Sequence, residues 1–213
     1  MLVSVIIPYN KDRGYLQAAL ESIERQTYKN YEIILSQSSK TVGYNFNQAV
    51  KQAVGDYICY LAEDDLLPVD SLENRVRFLL HSDYDFIHSR GKRLYKNGTT
   101  KPYNLTNPAT TLQEMIELNT ICGGTTMYNS SIFDSLLFDE TLTTAEEYDF
   151  HLNLLSKGYS LGFLDEVTYI LRQHRDQKSI GDLTTEYQDK RKQIIKEIQN
   201  RYEEGSSIRH NRR

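Results

Sequence analysis

The first third of the chain alternates two hydrophobic periods. Leu2–Pro8 is an almost unbroken apolar, β-branched run, the pattern of a strand buried on both faces of a parallel sheet. Gly14–Gln26 then carries Leu16, Ala19, Leu20 and Ile23 at helical spacing. Tyr31–Leu35 predicts a second strand. Val42–Val54 predicts a second helix, with Phe46, Ala49, Val50 and Ala53 on one face, and Asp56–Leu61 a third strand. This β-α-β-α-β order implies right-handed crossovers in a mainly parallel sheet.

Beyond Pro68 the pattern loosens. Val69–His81 predicts a helix and Tyr84–Ser89 a strand. Gly91–Pro108 holds Asn97, Gly98, Pro102, Asn104, Asn107 and Pro108, an irregular loop or hairpin. Thr111–Leu118 predicts a short helix, with Thr111 and Glu114 in capping-box spacing. Cys122–Tyr128 is a candidate strand, Asn129–Leu136 and Thr144–Ser156 are candidate helices, and Gly162–Arg172 is the last strand or strand pair. Thr184–Glu204 reads as a charged helix with a stripe of Tyr187, Ile194, Ile195, Ile198 and Tyr202, suited to packing on the domain or on a second copy of the chain. The expected organisation is an α/β domain over residues 1–181, a C-terminal helix over 182–205 and a flexible basic tail over 206–213.

Composition narrows the functional classes. The chain has 213 residues, enough for one domain with its own core. No stretch approaches the ~20 consecutive apolar residues of a membrane span. Met1 runs straight into Leu2–Ile7 without a basic segment or small-residue cleavage site, so no signal peptide is expected. The formal charge of −4, from 25 Lys+Arg against 29 Asp+Glu, argues against a nucleic-acid partner. Two cysteines, Cys59 and Cys122, exclude a disulfide scaffold and read as buried thiols of a reducing, cytoplasmic compartment.

The sharpest chemical feature is Glu63-Asp64-Asp65, directly after the third predicted strand. Sites in parallel sheets form at the carboxyl ends of strands. Three adjacent carboxylates there repel one another, and a divalent cation such as Mg2+ or Mn2+ is the obvious compensation. A solvated acidic turn is the plain alternative.

The first strand ending Pro8-Tyr9-Asn10, the first helix ending Glu21–Tyr28, the second strand Tyr31–Leu35 and the third running into the acidic triplet together resemble the nucleotide-sugar glycosyltransferases of family 2. The likeness spans roughly residues 2–179, and it is the order and spacing of the segments that carry it. It implies a GT-A-like, Rossmann-type, mainly parallel sheet flanked by helices. It also implies a metal-dependent, inverting hexosyltransferase-like enzyme that uses Mn2+ or Mg2+ to steady the departing diphosphate.

By that resemblance Asp64 falls on the family's metal-binding Asp, Glu63 on the position beside ribose and metal, and Asp65 on the following acid. Ala62 stands where the family often has another Asp. Arg172–Ser179 resembles the closing segment whose His reaches metal or diphosphate, which assigns that role to His174. Arg172, Arg175 and Lys178 add positive charge there. In Thr144–Phe150 the resemblance puts the general base, usually the Asp of a Glu-Asp pair, at Glu147, with Glu146 and Asp149 as alternatives. Pro8, Tyr9, Asn10, Arg13 and Asn47 are expected donor contacts, with Asp12 and Asn45 beside them. Ser38 takes the place of the acid that binds uracil in many members, and its hydroxyl can still bond a base edge. Gly123 and Gly124 are expected beside the acceptor. Tyr95, Tyr103 and Tyr128 are candidate ring platforms, though 16 tyrosines make some such placements a matter of chance.

The expected function is therefore sugar transfer from a nucleotide diphosphate sugar to a hydroxyl of a cell-surface glycan or glycolipid, in the cytoplasm or peripherally at the inner membrane face, with a homodimer open through the striped helix. Three alternatives stand beside it: transfer to hydroxymethylated DNA bases, a non-catalytic sugar-nucleotide or glycan-binding module of the same fold, and a nucleotidyltransferase. For the last, Tyr9–Gly14 is a poor phosphate loop.

Overall fold

The computed structural model describes residues 1–103, 108–174 and 185–210, with side chains in the last segment from 186 to 203. Its first half follows the hydrophobic pattern: β1 (Val3–Tyr9), α1 (Leu16–Glu24), β2 (Tyr31–Gln37), α2 (Val42–Val50) and β3 (Tyr57–Tyr60). β1 pairs in parallel with both β2 and β3. Then come α3 (Ser71–Leu80), β4 (Phe86–Leu94), β5 (Thr100–Tyr103), α4 (Leu112–Glu117), β6 (Met127–Asn129), α5 (Glu146–Ser156), β7 (Leu161–Arg172) and α6 (Thr185–His210).

The sheet is mixed. Its order is β2-β1-β3-β6-β4-β5, with β7 paired to β4. β6 lies antiparallel between β3 and β4, and β5 antiparallel to β4, while β7 is parallel to β4. Five strands thus share one direction and two oppose it. Gly91 does not end a strand as the turn-rich composition suggested. β4 runs through it to Leu94 and turns at Asn97-Gly98 into β5. The Thr111–Glu114 capping box forms as read. Asn129–Leu136 makes only a 3-10 turn at Ser130–Asp134, and Cys122–Tyr128 divides into a 3-10 turn at Gly123–Thr125 and the short β6.

Both faces of the sheet are covered, as alternation along β1 requires. Val3, Val5 and Ile7 pack with Ala19 and Ile23 of α1 and Leu72 and Val76 of α3. Ile6 faces the other way, among Phe46 of α2, Phe150 of α5 and Ile198 of α6. Ile194, Ile195 and Tyr202 lie against this second core, so the α6 stripe is spent on its own domain. Gln199 Nε2 donates to the Ile116 carbonyl at 2.8 Å and Arg201 pairs with Asp149 at 3.0 Å, which ties α6 to α4 and α5.

One buried cation joins the layers. Arg75 of α3 is fully buried and donates to the carbonyls of Gly124, Thr126 and Thr168, to Thr168 Oγ1 and to Cys59 Sγ, all at 2.7–3.2 Å. Its partners are dipoles, and no carboxylate pairs with it among the described residues. The guanidinium fork suits this task because its donors are fixed in a plane. Arg75→Met should leave buried carbonyls unbonded and lower stability by about 3 kcal/mol or more in urea denaturation; a loss within experimental error would show that these bonds do not hold the layers together.

Candidate active site

β3 ends under a cleft, and residues 63–65 form one rim of it. The next residue, Leu66, exchanges two backbone hydrogen bonds with Ile170 of β7, at 3.1 and 2.9 Å. This pairing brings the end of β7 alongside the acidic triplet. Each acid then receives its own donor. Arg13 forms an ion pair with Glu63. His174 Nε2 lies 2.8 Å from Asp64 Oδ2. Asp65 accepts from the Tyr169 hydroxyl at 2.5 Å and from the Arg172 backbone N–H at 2.7 Å. The Arg172 side chain donates to the Asp64 carbonyl at 3.0 Å, and its guanidinium sits over the Tyr15 ring, which also packs on His174.

Electrostatics separates the three acids. Burial, reinforced by the charge of Asp64, pushes the Asp65 carboxyl well above the usual range. Glu63 is raised by the same two causes, opposed by Arg13. Asp65, expected as a metal ligand, is 3% exposed and turns both oxygens into the protein. It supports the rim from behind. Asp64 lines the cleft and is backed by His174, whose Nδ1 is buried without a partner among the described residues.

A carboxylate beside an imidazole is a donor set that suits Mn2+ or Mg2+ when water and substrate phosphates supply the remaining ligands. Among the described residues no group of three or more His, Cys, Asp or Glu forms a complete cage. The residues present therefore fit an ion shared with a phosphate ligand, and do not fit a closed structural site.

The opposite wall depends on two glycines. A Cβ on Gly123 would lie 2.6 Å from Glu147 Oε1, so the carboxylate rests directly on the Gly123 backbone. A Cβ on Gly124 would overlap the Tyr169 ring at 1.9 Å. Gly124 thus makes room for the ring whose hydroxyl holds Asp65. Expected beside the acceptor, this pair lines the cleft and also seats one side chain from each rim. Glu147 lies in the first turn of α5, after Ala145 at φ 61°. Ala145 is the one non-glycine residue at positive φ among the described residues, a strained entry that aims Glu146 and Glu147 at the cleft.

The cleft encloses about 470 Å³. Pro8, Tyr9, Asn10 and Arg13 line its β1 end, as expected. Two other expected donor contacts lie away from it. Asn47 is buried and bonds the Phe138 backbone through both its N–H and C=O groups, each at 3.0 Å, holding the segment before α5. Ser38 donates to Asn45 Oδ1, and Asn45 in turn donates to the Tyr9 carbonyl at 3.0 Å. Ser38 therefore supports the β1 end at one remove. Asp12 caps Gly14 N–H at 2.7 Å. Asp149 is taken by Arg201 and Tyr202 of α6. Tyr128 is buried against His151. Arg175 and Lys178 lie outside the described residues.

The sequence reading missed part of the wall. Asn119, Tyr187, Arg191 and Ile195 also line the cleft, beside Tyr103, which was expected as a ring platform. Tyr187 and Ile195 were read only as members of a packing stripe, and Arg191 was not singled out. The signal available was Arg191 itself, one helical turn before Ile195 and after Tyr187. Cys122 lines the cleft too, but burial pushes its thiol up to about 12, so it stays protonated.

Residues 36–137, which include the acidic triplet and both glycines, match the sequence model described as Glycosyl transferase family 2. That match, over just under half of the chain, supports the resemblance read from the sequence. An uncharacterized glycosyltransferase of Rickettsia felis is 25% identical over 77% of this chain, which spans only 32% of that relative's length. Among solved structures, S. aureus TarS in complex with UDP-GlcNAc superposes with a TM-score of 0.70 at 20% identity, covering 83% of this chain and 60% of that one. The mannosyltransferase PcManGT of Pyrobaculum calidifontis, in complex with GDP-Man and Mn2+, superposes at 0.59 with 14% identity, covering 83% of this chain and 57% of that one. At these identities the superpositions establish the fold, which is the GT-A-like sheet expected from the sequence.

The two glycines of this domain should respond differently to one added methyl. Gly124→Ala collides with a fully buried ring and should lower stability by about 1–3 kcal/mol. Gly123→Ala meets only the end of the Glu147 side chain and should stay within roughly 0.5 kcal/mol of the parent. Thermal unfolding of both variants decides it; equal losses would mean that Tyr169 is not wedged in place.

Proposed function

We propose that this domain transfers a glycosyl residue, with inversion, from a nucleoside diphosphate sugar to a hydroxyl of a glycan or glycolipid. The observation that carries the reading is that Asp64, paired with His174, and Glu147 line the same cleft, joined through Tyr169, Gly124 and Gly123. The nucleoside diphosphate would enter at Pro8–Asn10 and Arg13, where β1 ends. UDP-GlcNAc in the TarS complex and GDP-Man in PcManGT support this donor class.

Asp64 and His174 would hold a Mn2+ or Mg2+ ion, whose chemistry is to stabilise the charge of the departing diphosphate. PcManGT with Mn2+ supports that choice. Arg13, held by Glu63, offers a second positive group at the same end. Glu147 accepts the proton of the acceptor hydroxyl as that oxygen bonds to the anomeric carbon and the bond to the diphosphate breaks. Asp149 is a poorer candidate because Arg201 and Tyr202 already occupy its carboxylate. Asp65, Tyr169 and Arg75 position the two rims without touching substrate.

No described helix is long and apolar enough to cross a membrane. Both cysteines are free, which supports action in a reducing compartment. We place the reaction in the cytoplasm, where nucleotide sugars are made.

Two measurements test this reading. Glu147→Gln should keep nucleotide-sugar affinity and lower the transfer rate by roughly 10²–10⁴, and Gly123→Ala should follow it in part by displacing the carboxylate; turnover near the parent in both would move the base elsewhere. Asp64→Asn and His174→Ala should each weaken Mn2+-dependent binding of a nucleoside diphosphate by about 10-fold or more in calorimetry. A chelator should abolish that binding in the parent; affinity indifferent to chelator would reject the ion.

A further inference from the structure

The hairpin β4–β5 is basic and aromatic on one face. Residues 86–113 contain no Asp or Glu, yet hold Arg90, Lys92, Arg93, Lys96 and Lys101, in a chain whose net charge is −4. Arg93 and Lys101 are direct cross-strand partners. Like charges placed opposite each other destabilise a hairpin. Tyr95 and Tyr103 follow each of them at two-residue spacing and so share their face. The Arg93 guanidinium lies 4.9 Å above the Tyr103 ring, and Lys101 Nζ lies 5.8 Å above the Tyr95 ring. Arg93 Nε is buried with no hydrogen-bond partner among the described residues.

Tyr103 connects this face to the cleft, which it lines together with Arg191 of α6. None of Arg93, Lys101 and Arg191 has a carboxylate partner among the described residues, although six other cationic side chains do. Two rings with cations above them and a third cation at the cleft wall, none paired with a carboxylate among the described residues, form a basic track leading away from Glu147.

We infer that this track binds the acceptor, and that the acceptor is an acidic glycan, carrying carboxylate or phosphodiester groups on its sugars. The inference rests on the glycosyl-transfer reading of the cleft and specifies its acceptor. Sugar rings stack on tyrosine, and acidic groups pair with arginine and lysine. A nucleic acid offers the same two chemistries, but Glu146 and Glu147 on the cleft wall and the net acidity of the chain oppose a polyphosphate backbone. The Arg93–Lys101 juxtaposition, costly in the free protein, is relieved when an anion lies between the two.

Binding of the full chain to immobilised oligosaccharides tests this without any turnover. The panel holds matched neutral, uronic-acid-bearing and phosphodiester-bearing glycans, plus single-stranded DNA. At least one acidic class should bind about tenfold tighter than its neutral match, and the advantage should shrink as salt is raised. The two acidic arms tell which group is read. R93Q/K101Q and R191Q should each remove most of that advantage, with circular dichroism confirming the fold. Equal binding of neutral and acidic glycans, retention of the full advantage by the variants, or tighter binding of DNA than of any glycan would overturn the inference. Affinity for UDP and GDP with Mn2+, measured on the same samples, tests the donor half by itself. If that affinity is missing while acidic glycans bind through Arg93 and Arg191, the transfer reading fails and the glycan track stands.

Discussion

Everything in the cleft depends on how three adjacent carboxylates are kept apart in role. A run of Glu63, Asp64 and Asp65 at a strand end cannot persist with each acid in the same environment, because mutual repulsion and burial both disfavour the charged forms. The fold resolves this by giving each acid a different donor from a different part of the chain. Arg13 comes from the loop after β1, His174 from the segment after β7, and Tyr169 with the Arg172 N–H from β7 itself. The Leu66–Ile170 backbone pair is what makes this possible, since it brings residues more than 100 positions apart into contact. Asp64 is the member left with a donor that can itself be a metal ligand.

The same constraint explains why the glycine pair matters more than a turn would suggest. Tyr169 must lie flat against Gly124 for its hydroxyl to reach Asp65. Arg75 bonds the Gly124 carbonyl from below and Thr168, the neighbour of Tyr169, from the side. One buried guanidinium thereby fixes both the turn and the strand that meet behind the acid rim. Gly123, one residue earlier, seats Glu147. A shift of the 3-10 turn at Gly123–Thr125 would move both rims together, so their relative geometry is set by a single small element and not by two independent loops.

What could be read from sequence was governed by how local each signal is. The β1 to β3 half was legible because its apolar runs and helical stripes are contiguous and its crossovers follow a chirality rule. The antiparallel insertion of β6 was not, since a three-residue strand carries almost no periodicity and its position between β3 and β4 is set by tertiary packing. Asp64, His174 and Glu147 could be named as a set because their segments resemble a family. The inward turn of Asp65 could not, because it depends on donors that the sequence places 104 and 107 residues away. The partners of Asn47 were hidden for a related reason. Helical spacing gives the face of a residue but not what covers that face, and the segment around Phe138 covers Asn47.

On the proposed reading, the mixed topology also divides the cleft by substrate. β1 and β3, paired in parallel, end at Pro8–Asn10 and the acidic rim, where strand ends and following loops offer the polar groups a nucleotide diphosphate would need. The antiparallel β4–β5 hairpin presents a side-chain face in place of loop ends, better suited to successive rings of a chain than to a single nucleotide. α6 closes the space between them by packing its apolar stripe on α4 and α5 and turning Tyr187 and Arg191 into the cleft. On the proposed reading, the donors that hold the acid rim come from the loop after β1 and from β7, so the hairpin and α6 can vary in charge while those donors stay in place.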